Sequence, residues 1–156
     1  MRLTNEEEYC VSEILKPYQE NEQVQSLKKF VQHGAVSTFD HCHNVAKMCF
    51  WMNRHFNLKV DEEALVVGAF LHDFYLYDWH KKNDGHNLHG FTHPNVACDN
   101  AVKHFGIGQK EQHIIKTHMW PLTLLKFPRC KEAWLVSVVD KYCSVVETLN
   151  ALLSRS

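Results

Sequence analysis

Apolar residues recur along much of this chain at intervals of three and four positions, the spacing that buries one face of an α-helix. Short polar breaks separate these segments, and no segment alternates apolar and polar residues as a half-buried β-strand does. The pattern predicts an all-α fold, a bundle of about six to seven helices. A chain of 156 residues is long enough to bury one substantial hydrophobic core and short for two. We therefore expect a single domain over residues 1–156.

The starts of several helices can be located from their capping residues. Thr4 and Glu7 have the form of a capping box, in which each side chain satisfies a backbone donor of the other residue. Ser37, followed by Asp40, and Asp61 are the expected N-caps of a third and a fourth helix. The second helix is marked by the apolar residues Val24, Leu27, Phe30 and Val31.

The fourth helix is the most hydrophobic segment of the chain. Residues 64–71 are apolar on nearly every side, which indicates a central helix, and this helix ends in the pair His72-Asp73. Residues 78–92 contain two glycines and several polar side chains and are expected to form a loop. A fifth helix follows, with Pro94 at its first position. Further helices are predicted from about Lys110 to His118 and from about Lys131 to the C-terminus.

Charge and hydropathy narrow the classes of partner. The formal net charge is −1 and the basic residues are scattered, so we expect no duplex nucleic acid as a ligand and favour a small molecule. No apolar run is long enough to cross a membrane, and the N-terminus lacks the order of a signal peptide. We therefore expect a cytoplasmic protein without a membrane partner, and the sequence leaves a homo-oligomer open.

Cysteine and histidine usage points to different roles for these two residue types. The six cysteines are dispersed without a C-x-x-C pair, so neither a disulfide framework nor a thiolate zinc site is indicated, and we interpret them as reduced packing residues. Twelve histidines, by contrast, exceed what packing or solubility requires. Helical spacing separates them into two groups.

Three histidines lie on apolar helix faces. His41 is in line with Val45, His93 with Ala97, and His118 lies on the face of the preceding isoleucines. The other histidines outside the His-Asp pair are interpreted as surface or loop residues. His33 is the exception, because it precedes the Ser37 cap and could point toward the three histidines on the apolar faces.

Asp73 and Asp140 stand in strongly apolar surroundings, where an ionised carboxylate is costly unless it is paired or bound to a metal. Together with the four histidines they form a nitrogen and oxygen donor set suited to iron, manganese or another first-row divalent ion, with magnesium left open. One ion cannot easily use all six donors. Two ions can, because one carboxylate is able to bridge metals about 3.5–4 Å apart. Asp73 is the expected bridge.

The ordered series His41, His72-Asp73, His93, His118 and Asp140 resembles the HD superfamily of metal-dependent phosphohydrolases. An isolated His-Asp pair is more often structural, but six positions in this order reverse that reading. The resemblance covers about residues 30–150, with the N-terminal helices, residues 4–33, expected to pack on it. It implies an all-helical HD domain whose metal is held by His41, His72, Asp73 and Asp140.

His93 and His118 match the two further histidines of the two-metal branches of this superfamily. These branches include the HD-GYP phosphodiesterases and a bacterial diadenosine tetraphosphate hydrolase. The tracts HDFYLYDWH and KTHMWPLT also resemble segments of small bacterial HD proteins without an assigned substrate. The HD-GYP pattern has paired histidines where this chain has His118-Met119, and this chain also lacks the GYP segment. Hydrolysis of cyclic dinucleotides is therefore disfavoured. A nucleotide anhydride is still a possible substrate.

The resemblance implies hydrolysis of a phosphate ester or nucleotide, that is, a phosphomonoester, phosphodiester or anhydride, by a metal-activated water. One or two divalent ions are the implied cofactors. Asp73 and His72 are the expected catalytic pair, with Asp73 positioning the attacking water. Seven residues near the ligands in sequence are candidate substrate contacts: His33, Tyr77, Trp79, His80, Lys81, Lys82 and Lys141.

Two alternatives belong to other functional classes. Some HD enzymes with this six-ligand arrangement are mixed-valent di-iron oxygenases, and ligand types alone do not exclude that chemistry here. The second alternative is a metal-binding signalling module without turnover. The complete ligand set argues against it, because a degenerate domain has no chemical reason to retain an open two-metal site.

Overall fold

Residues 2–78 and 89–154, apart from the side chain of His33, are described by the computed structural model. This part of the chain contains seven α-helices and one small antiparallel hairpin, so the predicted all-α class and the predicted number of helices are confirmed. The helices are α1 (Asn5–Gln19), α2 (Glu22–Ser26), α3 (Thr38–His55), α4 (Glu62–Leu71), α5 (His89–Phe105), α6 (Gln109–Thr117) and α7 (Lys131–Leu153). The hairpin strands are β1 (Val31–His33) and β2 (Val36–Ser37).

The predicted caps of α1, α3 and α4 are present. The capping box of Thr4 and Glu7 closes in both directions. The hydroxyl of Ser37 accepts a hydrogen bond from the backbone N–H of Asp40, and Oδ1 of Asp61 accepts one from Ala64. Each side chain satisfies an amide that the first helical turn leaves without a partner. The starts of these helices are therefore fixed by local sequence.

α4 is the central helix, as its uninterrupted apolar run predicts. Every residue from Ala64 to Leu71 is buried, and the helix contacts α1, α3, α6 and α7. It lies close against α6 at Gly68, where a Cβ atom would lie 2.9 Å from side-chain carbons of Ile114. Because His72 and His118 are the C-cap residues of α4 and α6, this close packing brings the two imidazoles together.

The segment before α3 departs from the predicted second helix. α2 is only five residues long, a short 3₁₀ turn follows it, and Phe30 and Val31 are extended rather than helical. The hairpin that comes next was missed because strands of three and two residues are too short to show alternation. Its turn contains Gly34 with a φ of 63°, a conformation that favours glycine. The hairpin delivers Gln32 to the interior of the bundle.

α5 begins earlier than predicted. It starts at His89, so Pro94 lies in the second turn and not at the first helical position. The ring there removes only the amide that would reach the carbonyl of Gly90, which the helix tolerates near its start. Of the predicted loop over residues 78–92, residues 79–88 lie outside the described part of the chain.

The buried cysteines Cys42, Cys49, Cys98 and Cys143 pack in the core, and all six cysteines are free thiols, as expected. α7 is the longest of the described helices and packs against α3, α4 and α6. Among the described helices, none combines the length and the apolar character needed to span a bilayer.

Candidate metal centre

The six residues predicted as metal ligands meet at one point in the bundle. They come from five helices or helix ends: His41 from α3, His72 and Asp73 from the end of α4, His93 from α5, His118 from the end of α6 and Asp140 from α7. Each of the six is buried, with Asp140 the most exposed at 7%. The donor atoms lie within 4.8 Å of one another in three overlapping sets of three residues.

The carboxylate of Asp73 lies between two groups of histidines. Its Oδ1 is 3.1 Å from Nε2 of His93 and 3.6 Å from Nε2 of His118. Its Oδ2 is 3.3 Å from Nε2 of His72. The two oxygens of one side chain thus face different imidazoles, which is the arrangement a bridging carboxylate requires.

Asp140 completes the donor group that contains His41 and His72. Its Oδ1 lies 3.1 Å from Nε2 of His41 and 3.5 Å from Nε2 of His72. His41, His72 and Asp73 form one of the compact donor sets, and Asp73, His93 and His118 form another. Asp73 belongs to both sets, so a shared position is built into the site.

Backbone carbonyls fix the orientation of three of the four rings. Nδ1 of His72 lies 2.7 Å from the carbonyl of Ala69, and the corresponding distances are 2.8 Å for His93 and His118. A carbonyl oxygen only accepts, so each Nδ1 carries the proton. In the neutral ring, Nε2 then presents a lone pair, and all three lone pairs face the centre. This is the orientation that metal-binding histidines adopt.

These lone pairs face groups that cannot satisfy them. Nε2 of His93 and Nε2 of His118 are 2.9 Å apart, although both rings use their Nδ1 proton elsewhere. Within the described structure, Nε2 of His72 and Oδ1 of Asp73 are buried without a hydrogen-bond partner. Unsatisfied buried polar atoms are rare and costly. Divalent cations between these nitrogens and oxygens would satisfy them, so the donor set fits the metal that the sequence pattern implies.

His41 is held differently from the other three rings. Its Nδ1 lies 2.8 Å from Oε2 of Glu147 on α7, and Nδ2 of Asn44 donates to the other oxygen of that carboxylate. Burial alone would lower the pKa of His41, but its hydrogen bonds to Asp140 and Glu147 outweigh burial and raise the pKa to about 10. A carboxylate behind a ligand histidine also increases the basicity of the nitrogen that faces the metal.

The electrostatics of the cluster favour bound positive charge. Burial acts to raise the pKa of Asp73, but the facing His72 and His93 hold it well below its usual value. Burial acts to raise the pKa of Asp140 as well, but the facing imidazoles of His41 and His72 outweigh it and keep that pKa low. Burial, reinforced by His72 and His93, lowers the pKa of His118 to about 3, so its ring stays neutral and able to donate a lone pair.

Two residues at the centre were missed by sequence reasoning. Nε2 of Gln32 lies 2.5 Å from Oδ2 of Asp73, and its Oε1 accepts hydrogen bonds from the hydroxyls of Thr38 and Tyr75. The second is Glu147. Its signal was present, because it lies seven residues after Asp140, two turns along the same face of α7; Gln32, in a short hairpin, carried no such signal.

The candidate substrate contacts differ in where they lie. Lys141 lines the cleft above Asp73, and its ammonium donates to the carbonyls of His118 and Ser137 at 2.7 and 3.0 Å. Tyr77 is buried, with its hydroxyl 2.8 Å from Nδ1 of His89, a further histidine that lines the cleft. Trp79, His80, Lys81 and Lys82 lie outside the described residues, as does the side chain of His33.

The same cleft reaches His93, His118 and the two carboxylates, whereas His41 and His72 do not line it. Its walls come from β1, α5, the end of α6 and α7, and the residues at its base are Asp73, His93, His118 and Asp140. Gln32 and Lys141 flank this base. A ligand entering here meets the proposed metal donors, one amide and one cationic side chain.

Comparison with protein families identifies a domain in this chain. The sequence model of the HD domain matches residues 38–144, a segment that contains all six predicted ligands. No curated protein and no solved structure gives a significant match.

Proposed function

The chain is a member of the HD domain family, a family made up mostly of metal-dependent phosphohydrolases, and we propose that it hydrolyses a phosphate ester or a nucleotide with the help of two divalent ions. The observation that carries this proposal is the position of Asp73, whose two oxygens face separate histidine groups. A site for a single ion would not need the two further imidazoles of His93 and His118 that face the other oxygen of Asp73.

In this proposal His41, His72, Asp73 and Asp140 would hold one ion, and Asp73, His93 and His118 the second. Bound there, divalent cations supply an activated water and neutralise the charge that develops on the attacked phosphoryl group. The nitrogen and oxygen donors suit iron or manganese. Two of the three compact donor sets agree with this assignment, and the third, His72, His118 and Asp140, spans the two proposed positions.

The protein's own side chains prepare the centre for that chemistry. The backbone carbonyls behind His72, His93 and His118 keep the Nδ1 protons away from the centre, so their Nε2 atoms are ready as donors. Asp73 accepts a hydrogen bond from Gln32, which favours this orientation of its carboxylate. Burial of all six side chains excludes bulk water and strengthens each charge interaction.

Lys141 is suited to anchor a phosphate at the edge of this centre. Its ammonium lies 3.7 Å from Oδ2 of Asp140 and is tethered to two backbone carbonyls, so its positive charge is fixed beside the cleft. A fixed cation favours an anionic ligand over a neutral one. We assign it a positioning role for the substrate phosphate.

The proposal is tested with purified protein loaded with manganese or iron(II) and assayed on phosphomonoesters, phosphodiesters and nucleotide anhydrides. We expect hydrolysis of at least one class, and a loss of about 100-fold or more in Asp73→Asn, because removal of one catalytic electrostatic group costs on that order. Glu13→Gln, an exposed carboxylate on α1, is the matched control. Absence of hydrolysis across the panel, or oxygen consumption in place of phosphate release, would contradict the proposal.

A further inference from the structure

The outward face of α7 is apolar over four turns. Val138, Tyr142, Val145, Leu149 and Leu152 follow one another at intervals of four, three, four and three residues, and each is more than half exposed. At 100° per residue they form one stripe along the helix. We call these five residues the α7 stripe.

The α7 stripe lies opposite the face that α7 buries in its own chain. The inward face carries Val136, Asp140, Cys143 and Glu147, all buried. From Tyr142 to the end of the helix, Glu147 is the single charged residue, and it is turned inward against His41. A surface helix normally presents charged side chains to water, whereas a helix that is apolar on both faces is normally covered on both.

From this pattern we propose that two copies of the chain associate through their α7 stripes to form a homodimer. The four-three spacing is the one by which two helices pack along a common seam, with the side chains of one between those of the other. A face that is self-complementary in this way pairs with itself about a two-fold axis. The proposal goes beyond the hydrolytic function and does not depend on it.

The exposed area is sufficient for a specific dimer. The stripe and the adjacent Leu153, which is 73% exposed, provide six large apolar side chains. At roughly 100 Å² for each of these half-exposed side chains, two copies would bury about 1,200 Å², the lower end of the range for specific interfaces. Flanking contacts add to this value.

One surface groove runs along one side of the stripe, and a second lies at its N-terminal end. One shares Tyr142 and is lined by Val36, Met48 and Val146, and the other shares Val138 and is lined by Trp134 and Leu135. A ridge with a groove beside it fits a second copy of the same ridge, as packing of helix ridges into grooves requires.

Charge argues for a second copy over other occupants. The α7 stripe itself carries no lysine or arginine, and the two grooves are lined by one lysine each, Lys47 and Lys131, which is less positive charge than a nucleic acid or an anionic lipid surface needs. The α7 stripe carries no acidic residue either, so it does not select a basic partner. The chain itself has a formal net charge of −1, and two copies meet without appreciable repulsion.

The test is the mass of the full chain in solution, measured by sedimentation at micromolar concentrations. We expect about twice the chain mass of 18.3 kDa, and a single-chain mass for the double variant Val145→Glu/Leu149→Glu with unchanged helical circular dichroism. Val102→Glu, an exposed apolar position on α5, is the matched control and should stay dimeric. A monomeric wild type, or a double variant that remains dimeric, would overturn the proposal.

A cross-link provides a second readout that does not rely on weakening the interface. Val145 is the middle residue of the stripe, so in a two-fold pair it lies beside its own copy whether the helices run parallel or antiparallel. Val145→Cys should form a disulfide-linked dimer on mild oxidation, and Val102→Cys should not. Equal cross-linking of the two variants would contradict the α7 interface. Neither measurement involves turnover, so its outcome is independent of the hydrolase proposal.

Discussion

Oε2 of Glu147 lies 2.8 Å from Nδ1 of His41, so one of the four central histidines is held by a carboxylate while the other three are held by backbone carbonyls. This contact joins α3 to α7 two turns beyond Asp140. It makes the two proposed metal positions unequal, because only the position that uses His41 has a charged group behind its ligand.

The first prediction concerns Glu147. Replacement by alanine should lower the affinity for one of two manganese ions by about 10- to 100-fold, the usual cost of losing an outer partner of a ligand histidine. Glu147→Gln should cost less, because the amide oxygen still accepts from Nδ1. Titration calorimetry measures both sites, with Glu13→Gln as control. Wild-type affinity at both sites in a folded Glu147→Ala protein would exclude this role.

The second prediction concerns the hydrogen bonds around Gln32. Gln32→Leu removes the acceptor that serves the hydroxyls of Tyr75 and Thr38, and it removes a donor from Asp73. Leaving buried polar groups without partners should lower the free energy of unfolding by about 1–3 kcal/mol. Urea denaturation measures this change, and Gln109→Leu on the surface of α6 is the control.

A double-mutant cycle separates this network from a general packing effect. Tyr75→Phe should cost less stability in the Gln32→Leu background than in the wild type, because the shared hydrogen bond is already absent. Additive effects of the two substitutions would show that Gln32 and Tyr75 act independently, contrary to the structure.

The third prediction concerns the close packing of α4 on α6. Gly68→Ala should gain about 1 kcal/mol in helix propensity but lose about 1–3 kcal/mol to overpacking, since the new Cβ would lie 2.9 Å from Ile114. We expect a net loss of stability in thermal denaturation. Because His72 and His118 end these two helices, metal affinity should fall as well. Ser12→Ala, at an exposed position on α1, should cause neither loss.

Sequence reasoning located the six central residues because their signals are local and periodic. His72 and Asp73 follow an unbroken apolar run, Asp140 interrupts another, and helical spacing separates His41 from its neighbours. Gln32 was beyond reach, since its position depends on a hairpin of two very short strands and on contacts with residues 41 and 43 positions away.

The start of α5 was misplaced for a related reason. A proline is most favourable at the first helical position, yet α5 already includes His89 and accommodates Pro94 inside the helix. The exposed α7 stripe shows the same limit, because periodicity identifies an apolar face but not whether the chain itself covers it.

The fourth prediction is a dependence of stability on pH in the metal-free protein. The folded-state pKa of His41 is raised from 6.5 to about 10, so protonated His41 stabilises the fold fully below pH 6.5. That contribution is lost as the pH rises through about 10. The free energy of unfolding should therefore decrease across this interval, and less steeply in Glu147→Gln.

Metal loading should change this dependence. A bound cation replaces the proton on Nε2, so the loaded protein should show little decrease in stability over the same interval, and metal binding near neutral pH should release protons. Calorimetry in two buffers with different ionisation enthalpies measures that release. A metal-free protein with constant stability from pH 6.5 to 10 would contradict the assigned state of His41.

The arrangement of the six donors around Asp73 predicts a dinuclear centre bridged by this carboxylate. Anomalous diffraction from crystals of the metal-loaded protein, recorded at the absorption edge of the bound metal, tests it most directly. We expect two peaks about 3.5–4 Å apart on either side of the Asp73 carboxylate, one near His41 and His72 and the other near His93 and His118. A single peak, with His93 and His118 making no contact to metal, would contradict it.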